Sequence, residues 1–287
     1  MNITFCTHNH LGDTFLSTAL IRDLKEQMPD IQIDFLSNYQ PVFENNPNIT
    51  KHGDLKNIVK LEYHPFSQRN ASGGNLFNGW RESFEIFSGL KIHPGPDEID
   101  VYYKGYEKER LFDEDYIVIN AGNQSCSTIK TYPFWQEIVN DLKGDIKIIQ
   151  IGGSEKRDRH VSIDGAVNLI GKTTIRDLMR IVRDARAVIS PPSAVSILAT
   201  QKDFRGINVI INGTREPNML TQYKNSLHFG NVCCKNFDKK NGCMKFYVDN
   251  PLSMKSCYTT KTINGTKYPL CMCVDPDAIV NKVLEAI

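Results

Sequence analysis

The stretch Ala187-Val188-Ile189-Ser190-Pro191-Pro192-Ser193-Ala194-Val195-Ser196 sets the terms for the rest of the chain. Three apolar residues read as a buried parallel strand. Two prolines turn the chain. Small residues then open a helix that continues into Ile197-Leu198-Ala199. The first turn of a helix has N–H groups without intrahelical partners and carries partial positive charge, so phosphate binds there readily. Small side chains at Ser193 and Ala194 leave the backbone open to an anion. An ordinary capped helix after a strand would use the same residues, so the surrounding sequence has to separate the two.

Outward from this stretch the pattern repeats. Asn208-Val209-Ile210-Ile211-Asn212 is a strand beyond it. Before it come a strand at 116–120, a helix from Phe134 to Leu142 and a strand at 146–151 that ends in Gly152-Gly153. A short strand at 167–170 leads to Gly171-Lys172-Thr173-Thr174, and Thr173 or Thr174 caps a helix from Ile175 to Asp184. The first half has the same rhythm. Residues 2–6 form a strand, and a helix through Met28 carries Leu16, Leu20, Ile21 and Leu24 at helical spacing. Strands at 31–36 and 57–63 follow, with a long loop from residue 64 and a helix from Phe77 to Leu90. Alternating strands and helices of this length specify a doubly wound α/β sheet. Two such units in sequence predict two Rossmann-like lobes facing a cleft, over residues 1–108 and 109–230. A charged stretch from Lys104 to Asp115 joins them. From 231 to 274 turn residues, lysines and cysteines dominate, and a helix started by Asp275-Pro276 closes the chain over 275–287.

The 287 residues suffice for two domains, and 40% hydrophobic with 23% charged residues is ordinary for a globular protein. A net charge of +1 removes any global electrostatic case for nucleic acid or an anionic membrane. It leaves room only for a local basic groove, for which Lys51, Lys56, Arg69 and Arg81 are the candidates. No apolar run is long enough to span a bilayer, and the first residues lack the pattern of a secretory signal, so a cytoplasmic protein is expected, in a bacterium or in a phage-infected host cell. Six of the eight cysteines cluster late in the chain: Cys233, Cys234, Cys243, Cys257, Cys271 and Cys273. In a reducing compartment such clustering favours a metal site over disulfides.

Several residues at the carboxyl ends of strands can carry chemistry, which is where open α/β sheets place their sites. Asp13 follows the first strand and can serve as a general base on a hydroxyl, or as a helix cap. Lys130 lies in a polar loop after the strand at 116–120 and can pair with a phosphate. Gly152, Gly153 and the Gly171-Lys172 pair follow successive strands on the same rim as Ser193. Neither a P-loop nor a G-x-G-x-x-G fingerprint is present. Phosphate binding would then come from helix openings and one lysine, which fits a nucleotide diphosphate as leaving group better than ATP hydrolysis.

These residues also carry a family resemblance. Leu11-Gly12-Asp13, Ile33-Asp34-Phe35-Leu36, Phe43-Glu44-Asn45-Asn46-Pro47, Asn120-Ala121-Gly122, Lys130-Thr131-Tyr132-Pro133, Gly152-Gly153 and Asn168-Leu169-Ile170-Gly171-Lys172-Thr173 resemble, in order and spacing, the family 9 glycosyltransferases. These are the heptosyltransferases, of GT-B fold. Ser190-Pro191-Pro192-Ser193 departs from the family's usual Asn-Asp-Ser-Gly. With Gly213-Thr214-Arg215-Glu216-Pro217 and the cysteine-rich tail, it is more similar to the branch that glycosylates autotransporter proteins.

The resemblance implies an inverting transfer from a nucleotide-diphosphate sugar to an acceptor hydroxyl. Asp13 would be the base. Lys130 and the amides of Ser193, Ala194 and Val195 would hold the diphosphate. Gly152 and the Gly171-Lys172 loop would border the nucleoside, Gly153 would belong to the donor site beside them, and Glu216 would face the donor sugar or ribose. It further implies a structural zinc or iron held by four of the six late cysteines: one of Cys233 and Cys234, then Cys243 and Cys257, then one of Cys271 and Cys273. No catalytic metal is expected. The donor sugar would be a heptose, or a pentose such as arabinose in a small phage-type enzyme. The acceptor stays open between glycan, protein and a hydroxymethylated base in phage DNA. A non-catalytic nucleotide-binding module would keep the same fold.

Overall fold

The computed structural model describes residues 1–7, 10–51, 57–61, 76–105, 110–122, 130–153, 160–212, 223, 225–230 and 260–287. The first lobe is built on β1 (Asn2–Thr7), β2 (Gln32–Leu36) and β3 (Ile58–Leu61), with α1 (Leu11–Gln27), a 3-10 turn (Gln40–Phe43) and α2 (Leu76–Ser88). Its parallel sheet has the order β2-β1-β3. The second lobe holds β4 (Tyr116–Ile119), α3 (Trp135–Leu142), β5 (Lys147–Gln150), β6 (Val167–Asn168), α4 (Ile175–Arg183), β7 (Ala187–Ser190), α5 (Ala194–Leu198), β8 (Ile207–Ile211) and β9 (Ser226–Phe229). The chain ends in a hairpin of β10 (Thr260–Ile263) and β11 (Thr266–Pro269), a 3-10 turn (Leu270–Met272) and α6 (Pro276–Leu284).

All six strands of the second sheet are parallel, in the order β6-β5-β4-β7-β8-β9. The chain winds outward from β4 through β5 to β6. It then returns to the other side of β4 and winds outward again. Both β4 and β7 are buried at every position, as a parallel sheet covered on both faces requires. One face packs α3 and α6: Ile117, Ile119, Ile189 and Val209 meet Trp135, Ile138, Ile279 and Val283. The other face packs α4 and α5, and there the core continues without a break into the first lobe. Val118, Val188, Met179, Ile197 and Leu198 share one apolar cluster with Phe5, Phe15, Leu20, Trp80 and Phe84.

That shared core explains α1. Its sequence suggests an ordinary amphipathic helix, yet every side chain from Thr14 to Ile21 is buried. The helix has its own sheet on one side and α5 on the other, so its polar face starts only at Arg22. Thr14, Ser17 and Thr18 survive burial because each hydroxyl donates to a carbonyl of the same helix, those of His10, Asp13 and Phe15, at 3.2, 2.8 and 2.7 Å. Further contacts cross between the lobes. Arg176 of α4 donates to the carbonyl of Tyr102 at 2.7 Å and to that of Pro41 at 3.4 Å, and Tyr103 donates to the carbonyl of Met179 at 3.1 Å.

Three sequence expectations need correction. Arg81, a candidate for a basic groove, is 5% exposed. It pairs with Asp23 at 2.8 Å and Asp97 at 2.7 Å and donates to the carbonyl of Gly95, so its charge is spent inside the first lobe. Within 231–274, where the sequence reading placed turn residues, lysines and cysteines but no strand, residues 260–269 form the terminal hairpin. Asn264 and Gly265 sit at its tip with positive φ (48° and 79°), the geometry that a two-residue hairpin turn demands. The last helix covers Pro276–Leu284 rather than 275–287, with Asp275 as its cap: Asp277 N–H donates to the Asp275 carboxylate at 3.2 Å.

Candidate active site

The strand order of the second sheet reverses between β4 and β7. In open α/β sheets the ligand crevice lies at the carboxyl ends of the two strands that flank such a reversal. Here those ends are Asn120 and Ser190. In the first sheet β1 lies between β2 and β3, so its carboxyl end, leading into α1, is the matching place. The two ends come together. A Cβ built on Gly12 would lie 3.1 Å from Ile197 Cδ1 and 3.5 Å from Ala194 Cα. The first turn of α1 therefore rests against the first turn of α5, and the absent side chain at Gly12 permits that approach.

Asp13 is next to this contact, half-buried in the first turn of α1. It is not the helix cap: that position belongs to His10, which makes no side-chain capping bond. The Asp13 side chain is thus not consumed in capping its own helix. Its backbone carbonyl accepts from Ser17 Oγ at 2.8 Å.

Opposite, α5 opens with a full capping box. Val195 N–H donates to Ser193 Oγ at 3.2 Å, and Ser193 N–H donates to Ser196 Oγ at 3.0 Å. The capped-helix reading of this turn is therefore real. Of the three amides expected to meet a phosphate, those of Ser193 and Val195 are engaged locally. No acidic residue stands in this first turn. From the sheet below, Asn120 Nδ2 lies 3.4 Å from Ser193 Oγ, and Asn208 Nδ2 donates to the carbonyl of Ser196 at 2.8 Å. These two asparagines meet α5 at its cap and at its middle residue.

Further along the rim, Gly171 N–H donates to the carbonyl of Gly152 at 3.0 Å, so the loops after β5 and β6 run side by side. Lys172 is exposed and its ammonium donates to the carbonyl of Asn168 at 2.9 Å. Gly153 is exposed. The bare face of Gly152 is not open. A Cβ there, or on Gly122, would run into the imidazole of His160, which is 6% exposed and sits between the ends of β4 and β5. Lys130 is half-buried at the start of the segment that leads to α3. Glu216, Cys233, Cys234, Cys243 and Cys257 lie outside the described residues. Of the remaining cysteines in the late cluster, Cys271 is buried in the apolar core at 3% exposure, whereas Cys273 is half-buried and its thiol donates to the carbonyl of Pro269 at 3.5 Å. Among the described residues, no three potential metal ligands come together.

Asn120, quoted above only as part of Asn120-Ala121-Gly122, and His160 are rim residues to which the sequence reading gave no role. Asn120 had a readable signal, a polar residue directly after a buried strand at the rim. His160 had none, because its place between two glycines is set by the return of the chain.

No protein-family model matches the chain, and no curated protein sequence matches it. Solved structures do. The iron-containing dodecameric glycosyltransferase TibC from enterotoxigenic E. coli superposes with a TM-score of 0.68 at 16% identity, over 99% of this chain and 77% of that one. A glycosyl transferase of family 9 from Veillonella parvula gives 0.63 at 14% identity, over 99% and 97%. TibC in complex with ADP-D-β-D-heptose gives 0.66 at 17% identity, over 99% and 75%. At these identities the likeness is one of architecture, and the architecture of this chain is that of the family 9, heptosyltransferase-like glycosyltransferases.

Proposed function

We propose that the protein is an inverting glycosyltransferase that moves a sugar, a heptose or a pentose, from a nucleotide diphosphate to an acceptor hydroxyl. The observation that carries this reading is the contact of Gly12 with Ala194, which brings the Asp13 turn against the opening of α5. Asp13 accepts the proton of the acceptor hydroxyl. The hydroxyl oxygen attacks the anomeric carbon from the face opposite the phosphate, and the bond from that carbon to the diphosphate oxygen breaks. The nucleoside diphosphate leaves with both electrons of that bond, and the configuration inverts. Lys130 and the opening of α5 receive the leaving charge, where oriented donors act most strongly. Lys130 supplies a cation, and the Ala194 N–H is not part of the capping box. Gly152, Gly153, Gly171 and Lys172 border the nucleoside, and Glu216 the ribose or sugar. The complex of TibC with ADP-D-β-D-heptose supports a nucleotide-sugar donor of this kind.

The late cysteines suit a structural metal, zinc or iron, held by four thiolates, which would bind the tail to itself. The iron named for TibC supports iron. Of the last pair, Cys273 fits as the ligand. Cys271 belongs to the apolar core beneath it. Elemental analysis of purified protein tests this assignment: Cys273→Ser loses the metal, while Cys271→Ser keeps it and loses stability instead.

The function is tested by incubating the protein with ADP-heptose and with other nucleotide sugars in the presence of glycan, protein and hydroxymethylated-DNA acceptors. Released nucleotide and glycosylated product are read by mass spectrometry. Asp13→Ala is expected to lower turnover by roughly 10²- to 10⁴-fold, the range of a general base. Equal turnover by both proteins removes Asp13 from the mechanism.

A further inference from the structure

Two polar side chains at the ends of β4 and β7 are buried without a partner. Asn120 Oδ1 and Ser190 Oγ meet no hydrogen-bonding group among the described residues. They are neighbours. The register pairs Ile119 with Ile189, and Asn120 N–H donates to the carbonyl of Ile189 at 3.0 Å, so the next residues stand side by side. Both point to the face that carries α5, since side chains alternate along a strand and Ile119 and Ile189 fill the opposite cluster. Native structures seldom leave such atoms orphaned unless another group completes them.

The Asn120 amide has one fixed neighbour, Ser193 Oγ at 3.4 Å. That oxygen already accepts from Val195 N–H. A hydroxyl also has one proton to give, and an amide nitrogen in front of it offers nothing to receive that proton. Turning the amide by 180° changes no heavy-atom shape. The Ser193 hydroxyl then donates to the amide oxygen, and the amide NH2 takes the orphaned position at the strand end, beside the opening of α5. A buried N–H donor at that place suits an anion.

We propose that Asn120 is a donor-binding residue: its amide, oriented by the Ser193 hydroxyl, donates an N–H to a diphosphate oxygen of the nucleotide sugar. This inference rests on the donor site proposed above, and it adds a contact from the sheet to those from the helix opening and Lys130.

Calorimetric titration of ADP, CDP, GDP and UDP into the wild-type protein selects the nucleotide that binds. That diphosphate and its bare nucleoside are then titrated into Asn120→Ala and Asn120→Asp. Asn120→Ala is expected to weaken the diphosphate by roughly tenfold, as loss of one hydrogen bond to a charged group does. Asn120→Asp, which sets a carboxylate against the phosphates, weakens it by roughly a hundredfold. Nucleoside affinity stays within about twofold in both. Equal losses for diphosphate and nucleoside, or wild-type affinity in Asn120→Asp, would overturn the assignment. Asn120→Ala removes an orphaned buried atom, so it carries the test if the aspartate variant does not fold. A wild-type protein that binds none of the four diphosphates overturns the donor site, and the role of Asn120 with it.

Discussion

Two helices begin at the same place in this molecule and begin differently. α1 starts with no side-chain cap and has an acidic residue, Asp13, in its first turn. α5 starts with a complete capping box between Ser193 and Ser196 and has no acidic residue in its first turn. Both starts follow the carboxyl end of a central strand, and the two touch through Gly12 and Ala194. A helix start favours negative charge. In α1 the chain itself supplies that charge, and on the proposed mechanism this is the carboxylate that takes the proton. In α5 no such charge is present, and the proposed mechanism sets the donor's diphosphate there. On that reading like geometry serves opposite roles, and the reaction needs both halves in contact.

The comparison breaks first if the two starts are forced apart. Gly12→Val puts a branched side chain where Ile197 Cδ1 would already lie 3.1 Å from a single Cβ. Asp13 then moves with α1, and turnover is expected to fall roughly 100-fold, the effect of a misplacement of about 1 Å. Nucleotide affinity, which the proposed mechanism assigns to the second lobe, stays near the wild-type value; kcat and KM measured separately check this. Next, the charge that α5 lacks can be supplied. Ser193→Asp keeps a good cap, so thermal stability is held, but nucleoside-diphosphate affinity falls by roughly tenfold or more. Smaller still is the effect at the edge of the rim. Gly152→Ala forces His160 out of its slot and costs about 1–3 kcal/mol of unfolding free energy. In a His160→Ala background the same change costs less than about 0.5 kcal/mol, because the obstacle is gone. Chemical denaturation of the four proteins measures that cycle.

Much of the fold was legible because parallel strands covered on both faces are written as apolar runs. Tyr116-Ile117-Val118-Ile119 and Ala187-Val188-Ile189 are buried at every position. The strand Ser226–Phe229 escaped notice because its residues are only half-buried at the sheet edge, so no apolar run marks it. The terminal hairpin had its signal in Asn264-Gly265, flanked by threonines and by Ile263 and Tyr268. It was obscured by the charged residues of an exposed two-stranded ribbon. Arg81 read as a surface charge because its spacing on α2 says nothing of Asp23 and Asp97, which reach it from other elements. For the site, the positions of Asp13, Gly152, Gly171 and Ser193 followed from strand ends. What no local pattern could give was which rim positions meet. The approach of Gly12 to Ala194, of the His160 ring to Gly122, and of Asn120 to Ser193 all depend on residues more than thirty positions apart.

The proposed division of labour between the two helix starts is most directly tested by titrating the cognate nucleoside diphosphate into Asp13→Asn and Ser193→Asp and assaying transfer by the same two proteins. The account predicts that Asp13→Asn binds the nucleotide within about twofold of wild type and loses transfer, while Ser193→Asp stays folded and loses binding. Wild-type nucleotide affinity in a folded Ser193→Asp protein would contradict it.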